Sequence, residues 1–267
     1  MNLLIAFILG IIQGLTEFIP VSSTAHLLIA QHFLGLPSDD AMFAFNVLIQ
    51  LGTLLALIVY FWKDLLALIR AFFARPFSTP ENKLAWLIII ATLPALAAGV
   101  LLKDLVEALF KAPLIEAAIR LGTAAALLAL AEWLGKRTRS LADMTWLDAL
   151  IVGLFQVLAV FPGASRSGTT ISGAMLRGFD RPSAARFAFL MSVPVMLAAG
   201  AYESLDVFKL PALGAFLPGL AVGFIAAAVV GWFAVRWLLG YLNKHSLYVF
   251  AAYCAVVGLA CIVVSIV

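Results

Sequence analysis

Six apolar runs in the sequence are each about twenty residues long, the length that a helix needs to cross the hydrocarbon core of a bilayer. They occupy residues 43–62, 84–102, 113–135, 186–205, 213–238 and 246–267. Hydrophobic residues make up 64% of the chain and charged residues 12%, whereas soluble domains average about half and about a quarter. The sequence therefore predicts an all-α polytopic membrane protein with six transmembrane helices. The net charge of +3 is small and scattered, which argues against a nucleic-acid partner.

Two further apolar regions, residues 1–35 and 147–178, are interrupted by helix-breaking and hydroxyl residues. The first break runs from Pro20 to Thr24, and the second from Pro162 to Gly168. Proline stops a helix, and serine or threonine can cap the next one. The arms on either side of each break are shorter than a full span, so we expect two re-entrant helix–loop–helix pairs. Irregular backbone at membrane depth requires surrounding protein or a water-filled cavity.

The distribution of basic residues predicts how the chain is oriented. If the run 43–62 crosses from outside to inside, the outside loops hold only Lys103, Lys111 and Lys209. The inside loops then hold twelve basic residues: Lys63, Arg70, Arg75, Lys83, Lys136, Arg137, Arg139, Arg177, Arg181, Arg186, Arg236 and Lys244. Cytoplasmic loops of membrane proteins are enriched in lysine and arginine. We therefore expect both chain ends on the outer, periplasmic side, with the two re-entrant pairs entering from opposite faces.

The two halves of the chain resemble each other in sequence. A shift of 143 residues aligns Gly10 with Gly153, and the same shift aligns two further identical pairs, Gln13 with Gln156 and Ser22 with Ser165. Each half then has one re-entrant pair and three spans. Because three is odd, the second half enters the membrane upside down. The sequence predicts an inverted-topology repeat made of residues 1–140 and 141–267, an architecture that places a site near the bilayer midplane.

Polar side chains at membrane depth are costly, so those around the first break are candidates for function. Gln13 and Glu17 lie four residues apart and share a helix face. His26 lies four residues after Ser22 and three after Ser23, so either hydroxyl could reach its imidazole. A histidine can accept a serine proton while a carboxylate, here Glu17, orients the ring. The alternative is a buried polar cluster that only pins the loop.

The second break carries Arg166 among glycines and hydroxyl side chains. Arginine stays charged and binds phosphate through two parallel hydrogen bonds. A helix that begins here would also attract an anion to its N-terminus. The hydroxyl donors are Ser165, Ser167, Thr169 and Thr170. Under the repeat, this helix start faces the start beside Ser22, which predicts a buried site for a phosphate or diphosphate. The alternative is an arginine that pairs structurally with a carboxylate.

The two breaks resemble the signatures of the undecaprenyl-diphosphate phosphatases, also called bacitracin-resistance proteins. The first signature reads Gln13-Gly-Leu-Thr-Glu17 and continues Phe-Ile-Pro-Val-Ser-Ser-Thr-Ala-His26, and the second runs from Pro162 to Thr170. The resemblance covers the whole chain. It implies a multi-pass enzyme of the bacterial cytoplasmic (inner) membrane that removes the terminal phosphate of undecaprenyl diphosphate, the lipid on which bacitracin also acts. The product, undecaprenyl phosphate, is the lipid carrier for cell-wall synthesis.

The resemblance further implies inverted repeats, a homodimer and a divalent cation, Mg²⁺ or Ca²⁺. Gln13 stands where many members of the family have a second glutamate. An amide is a weaker ligand than a carboxylate for such a cation. We therefore expect the substrate's diphosphate to hold the cation, with Glu17 contributing as the metal ligand from the protein.

The expected mechanism has four catalytic residues. Arg166 stabilises the charge of the transferred phosphoryl group. His26, oriented by Glu17, activates Ser23 to attack the terminal phosphorus. Attack by Ser22 or by water stays open. The residues expected to bind substrate are Gln13, Ser22, Thr24, Ser165, Ser167 and Thr170.

Two other functions are compatible with this sequence. A transporter or flippase of a prenyl phosphate lipid would need the same anion site but no nucleophile, and the Ser23–His26–Glu17 cluster favours the enzyme over it. A purely structural scaffold would explain neither break.

Overall fold

The computed structural model of the protein describes residues 2–101, 112–160, 164–207 and 213–266. Within these residues the chain is helical apart from turns, a 3₁₀ segment at Leu141–Asp143 and an isolated bridge between Arg139 and Phe179. This confirms the predicted all-α class. Numbered in chain order, the α-helices are α1 Leu3–Thr16, α2 Ser23–Phe33, α3 Asp40–Tyr60, α4 Trp62–Phe72, α5 Pro80–Leu101, α6 Pro113–Leu134, α7 Trp146–Val160, α8 Arg166–Leu176, α9 Arg181–Val207, α10 Leu213–Leu242 and α11 Tyr248–Ile266.

Six of these helices are long and apolar enough to cross a membrane, as the sequence predicts. The helix starts and ends differ from the predicted runs by a few residues, most at α9, which begins at Arg181 instead of residue 186. Asp180 explains that difference, because its carboxylate accepts a hydrogen bond from the Ser183 N–H (2.7 Å) and so caps a polar first turn. The spans are Ala41–Tyr60, Pro80–Leu101, Pro113–Leu134, Arg181–Tyr202, Phe216–Leu242 and Tyr248–Ile266.

Helix α4 is a feature that the sequence prediction left inside a loop. Leu65, Leu68 and Phe72 recur at helical spacing and pack against the core, whereas Trp62 and Ile69 are exposed. A short amphipathic helix of this kind is typical of a membrane surface. It directly follows the span in α3, at the side of the molecule where the basic loops lie.

Four helices are too short to cross a bilayer alone. Helices α1 and α2 have 14 and 11 residues, and α7 and α8 have 15 and 11. At 1.5 Å per residue they measure roughly 16–23 Å, against about 30 Å of hydrocarbon. Each pair is separated by a break at the predicted place. The depth and direction at which the pairs enter the membrane stay predictions, and Lys103, Lys111 and Lys209, on which the orientation depends, lie outside the described residues.

The short helices α1 and α7 each pack against a long helix of the other half of the chain. Helix α1 lies against α10 of the second half, and α7 lies against α5 of the first. Both contacts are close because a glycine faces the partner backbone. A Cβ at Gly10 would meet the carbonyl oxygen of Gly223, and one at Gly153 would meet that of Ala91. Gly10 and Gly153 are the pair that the 143-residue shift aligns.

Two buried carboxylates tie several helix ends together away from the breaks. Glu132 is buried at the end of α6 and binds Arg137 and Arg181, each at 2.6 Å. Asp148, in the first turn of α7, binds Arg139 at 2.5 Å and Arg177 at 2.8 Å. These arginines satisfy both buried charges.

The carboxyl of Asp148 has a shifted pKa. Burial alone would raise this pKa, but hydrogen bonds from Arg139, Thr145 and Arg177 outweigh burial and lower it below its ordinary value. The hydrogen bond to Asp148 in turn raises the pKa of Arg139. Both groups therefore stay charged at any pH near neutrality.

Candidate active site

The first break begins directly after helix α1. The backbone N–H of Glu17 still donates to the Gln13 carbonyl (3.0 Å), so Glu17 keeps its place on the helix face of Gln13 although α1 ends at Thr16. The Gln13 side-chain amide donates to Glu17 Oε2 (2.7 Å). Both side chains are buried. The predicted pairing of these two residues on one face is thus present.

Ser22 has a strained backbone at the start of helix α2. Its φ of 67° lies in the left-handed region, which is uncommon for any residue but glycine and is often found at functional sites. This conformation turns the Ser22 carbonyl to His26, whose ring Nδ1 lies 2.9 Å from that oxygen. The Ser22 hydroxyl accepts a long hydrogen bond from the Ala25 N–H (3.4 Å) and so acts as the N-cap of α2.

The second break also places a serine at the N-cap of the helix that follows it, here α8, but with an ordinary extended backbone. Ser165 is the N-cap, and its hydroxyl accepts from the Gly168 N–H (3.2 Å). Thr169 and Thr170 donate to the Arg166 carbonyl at 3.0 and 2.8 Å, so their hydroxyls are bonded to the helix backbone. A substrate-binding role for Thr170 would require this hydroxyl to change partner. Residues 161–163, with Pro162 and Gly163 of the signature, lie outside the described residues.

Glu17 joins the two breaks. Its Oε1 is ion-paired with the Arg166 guanidinium, from 149 residues further along the chain. Its Oε2 accepts a hydrogen bond from the Ser23 hydroxyl (2.6 Å) as well as from Gln13. The structure therefore brings Gln13, Glu17, Ser23 and Arg166 into one cluster, as the repeat predicts.

The remaining hydroxyls of the predicted set surround this cluster. Ser167 lies 3.4 Å from the Ser165 hydroxyl and 3.5 Å from the Ile19 carbonyl, so α8 reaches the turn of the first break. Thr24 is partly exposed, one residue after Ser23. These two contacts of Ser167 keep the N-terminus of α8 beside the turn that carries Glu17.

The position of His26 differs from the prediction. Its imidazole forms hydrogen bonds to the Ser22 carbonyl and, through Nε2 (2.8 Å), to the hydroxyl of Tyr253. Ser23 donates to Glu17 instead of His26, so the predicted contact series Ser23–His26–Glu17 is wrong. The cause is local: the left-handed Ser22 turns the ring back to its own helix start, while Ser23 points to Glu17.

Tyr253 is the site residue that the sequence analysis missed. It lies in α11, 227 residues from His26, within a run that is mostly apolar. The available signal was a phenolic hydroxyl inside the last predicted span, which Tyr248 shares. Spacing rules relate residues within one helix, so they could not pair it with His26.

The cluster has few of the donors that a divalent cation prefers. Both oxygens of Glu17 are already engaged, and the Arg166 guanidinium balances its charge. No group of three or more His, Cys, Asp or Glu that could hold a metal occurs within the described parts of the chain. Gln13 Oε1 is buried and has no hydrogen-bond partner there, but it is a single neutral oxygen. This donor set does not fit a cation held by the protein alone.

Known sequences match this chain over nearly its whole length. Similar proteins that are named undecaprenyl-diphosphatase include the following three. One, from Anaeromyxobacter sp. (strain K), is 45% identical over 97% of this chain and 90% of its own length. The protein from Chloroherpeton thalassium is 41% identical, with 97% and 95% covered, and that from Desulforudis audaxviator is 38% identical, with 100% and 99% covered. A sequence model of the family described as bacitracin resistance protein BacA matches residues 6–260. The chain therefore belongs to the BacA family of bacitracin resistance proteins.

Proposed function

We propose that this protein is an integral membrane phosphatase that hydrolyses undecaprenyl diphosphate to undecaprenyl phosphate and inorganic phosphate. The observation that carries the proposal is the Ser23 hydroxyl, which donates at 2.6 Å to a carboxylate whose other oxygen is paired with Arg166. A candidate nucleophile, Ser23, and a candidate phosphate-binding group, Arg166, thus contact the two oxygens of one candidate proton acceptor, Glu17. The similar proteins named above are undecaprenyl-diphosphatases.

Binding of the diphosphate follows from the charges of the cluster. The two helix starts and Arg166 attract the phosphates, while the prenyl tail stays among the apolar spans. Arg166 retains 22% of its side-chain surface exposed, so an incoming phosphate can reach the guanidinium. The phosphate and the Glu17 carboxylate then compete for the Arg166 guanidinium.

This competition provides a way to activate the nucleophile. While Arg166 is paired with Glu17, the carboxylate is a weak base; once a phosphate takes over Arg166, Glu17 becomes more basic. Ser23 Oγ then attacks the terminal phosphorus, and its proton passes to Glu17 Oε2. The bond from that phosphorus to the bridging oxygen breaks, and undecaprenyl phosphate leaves. Ser22 is a poorer nucleophile in this arrangement, because its hydroxyl caps helix α2.

The second step hydrolyses the phosphorylated Ser23 and regenerates the enzyme. Water attacks the phosphorus bound to Ser23 and gives a proton to Nε2 of His26, the one ring nitrogen that does not contact the Ser22 carbonyl. Ser23 recovers its proton from Glu17 and leaves, and His26 returns the proton of water to the inorganic phosphate. His26 is thus assigned to the water, in place of the direct role on Ser23 that spacing suggested.

The divalent cation, Mg²⁺ or Ca²⁺, belongs to the substrate in this proposal. The donor set around Glu17 does not fit a resident metal, whereas a diphosphate offers several anionic oxygens. We therefore propose that the cation arrives with the diphosphate, and no step above is assigned to it.

The wider setting is proposed on the same basis. Six apolar helices make a multi-pass membrane protein, and membership of the family supports the bacterial cytoplasmic membrane, with both termini on the periplasmic side from the charge distribution. The matched contacts of Gly10 and Gly153 support the inverted repeat of residues 1–140 and 141–267. Carrier recycling for the cell wall, bacitracin resistance through the shared lipid substrate, and a homodimer rest on the resemblance.

A transporter or flippase is the less favoured alternative, because transport needs no hydroxyl beside a carboxylate. The test is phosphate release from undecaprenyl diphosphate by the purified, detergent-solubilised protein with Mg²⁺, Ca²⁺ or EDTA. We expect release by the wild type and a fall of at least ~100-fold in Ser23→Ala, the usual scale for an essential group at a reacting centre.

Ser192→Ala is the matched control for that assay. Ser192 is also buried, but its hydroxyl donates only to the Phe189 carbonyl of its own helix. No phosphate release by folded wild-type protein with any cation would overturn the phosphatase, and lipid movement in vesicles would then test the transporter.

A further inference from the structure

The hydrogen bond between His26 and Tyr253 determines which ring nitrogen of His26 carries the proton. The Ser22 carbonyl can only accept, so His26 Nδ1, 2.9 Å away, must carry the proton of this contact. In the neutral imidazole the lone pair is then on Nε2. The Tyr253 hydroxyl, 2.8 Å from Nε2, is therefore the donor of the second hydrogen bond. The planes of the two rings differ by only 6°, which is compatible with this bond.

Tyr253 also lies at the outer edge of the site. Its side chain is 44% exposed, and its helical neighbours Val249 and Val256 on α11 are exposed on the same side. Glu17, by contrast, is buried. The hydroxyl of Tyr253 thus lies between the lipid-facing surface of α11 and the imidazole.

We infer that Tyr253 is a positioning residue for the proposed phosphatase reaction. Its hydroxyl and the Ser22 carbonyl together hold His26 as the Nδ1–H tautomer, with the Nε2 lone pair ready to accept a proton. When water enters for the second step, it takes the place of the phenol at Nε2 and gives its proton to that nitrogen, so Tyr253 sets the tautomer without touching the reacting atoms. This inference rests on the proposed function, because it assigns Nε2 to the water.

A purely structural role would be to hold α11 against the turn of the first break. Other contacts already do this, since Cys254, buried beside Tyr253, lies 3.8 Å from the Pro20 carbonyl, and α11 packs along α6. Removing one exposed hydroxyl therefore leaves the docking of α11 intact. A structural role therefore predicts unchanged kcat when the Tyr253 hydroxyl is removed, whereas a positioning role predicts a lower kcat.

The first test is Tyr253→Phe, which removes the hydroxyl and keeps the ring. We expect kcat for undecaprenyl diphosphate to fall about 3- to 10-fold, the effect of one neutral hydrogen bond, with KM changed less than about twofold. Tyr248→Phe is the matched control, an equally exposed tyrosine of the same helix, and should leave kcat unchanged. In a His26→Ala background, Tyr253→Phe should cause no further loss, because it acts through the imidazole.

The second test does not depend on activity. In protein labelled with ¹⁵N-histidine, Nε2 of His26 should resonate as a nitrogen that accepts a hydrogen bond, and Tyr253→Phe should move it to the position of a free lone pair. Wild-type kcat together with an unchanged resonance in Tyr253→Phe would overturn the inference, as would an equal loss of kcat in the His26→Ala background. If the signature is present but the wild type releases no phosphate, the proposed function fails while the hydrogen bond stands.

Discussion

At the scale of single residues, the carboxylate of Glu17 decides what the cluster can do. It accepts hydrogen bonds from Gln13 and Ser23 and pairs with Arg166. A buried carboxylate with one full cationic partner has no charge left for a metal ion. The amide of Gln13 is suited to this arrangement, because it donates a hydrogen where a second carboxylate would repel.

Gln13→Glu should therefore convert the site into one that binds a cation. Two carboxylates would share the space, and hard divalent cations prefer such oxygen pairs. We expect the variant to bind Ca²⁺ without substrate, measured by titration calorimetry in detergent, while the wild type shows no binding. We also expect EDTA to lower the melting temperature of the variant, because like charges at this distance repel.

Asn46→Asp is a control for that experiment, since it adds a carboxylate to α3, at a side chain whose oxygen accepts only from Gln31. Equal Ca²⁺ binding by the wild type and Gln13→Glu would contradict the conclusion that the Gln13 amide keeps the site free of a resident cation.

Of two contacts in the site, Gln13–Glu17 was predictable from the sequence and His26–Tyr253 was not. The spacing of Gln13 and Glu17 predicted their contact, because residues four apart in a helix must be neighbours. The partner of His26 was not predictable in the same way. It depends on a left-handed φ at Ser22 and on a tyrosine in the last helix, and neither leaves a local pattern.

At the scale of helices, the short arms are held by glycines that let backbones touch. Gly10 brings α1 against α10, and Gly153 brings α7 against α5. Periodicity and length predicted the six spans and both breaks, because each depends on local composition. They did not predict α4, whose three inward side chains lie within a charged loop, nor which helix each arm packs against.

Gly10→Ala should destabilise the protein, because the added Cβ would overlap the Gly223 carbonyl and force the helices apart. Overpacking of this kind costs about 1–3 kcal/mol, and Gly153→Ala should cost a similar amount if the halves are equivalent. Thermal unfolding in detergent measures both.

Gly122→Ala serves as the control for these two variants. It also lies inside a helix, but no described atom comes within 4 Å of its added Cβ. Its melting temperature should match or exceed that of the wild type, because alanine favours helix. Wild-type stability in both Gly10→Ala and Gly153→Ala would contradict the close packing.

At the scale of the whole molecule, helix α8 connects the cluster around Glu17 to the ionic network at the basic loops. Its first residue, Arg166, pairs with Glu17, and the residue that follows its last turn, Arg177, pairs with Asp148 at 2.8 Å. An 11-residue helix is marginal by itself. Ion pairs at both ends therefore fix where Arg166 stands relative to the first half of the chain.

Asp148→Asn tests that connection through its pH dependence. Because the pKa of Asp148 lies below its unfolded value of about 3.9, the ionised carboxylate stabilises the fold above that pH. Its contribution is lost as the pH falls through the folded pKa. We expect the stability of the wild type to exceed that of Asp148→Asn by roughly 2–4 kcal/mol at pH 7, as for a broken buried ion pair.

The gap in melting temperature between wild type and Asp148→Asn should stay constant down to about pH 5. It should narrow below about pH 4, where the carboxyl of the unfolded chain begins to take up a proton while that of the folded protein stays ionised. Asp64→Asn, which breaks a surface pair with Arg186 at 2.7 Å, should change stability by less than about 1 kcal/mol. A gap that stays constant well below pH 4 would show that Asp148 acts by shape alone. Loss of activity in Asp148→Asn at pH 7, with Asp64→Asn unaffected, would show that the network holds Arg166 in place from the far end of its helix.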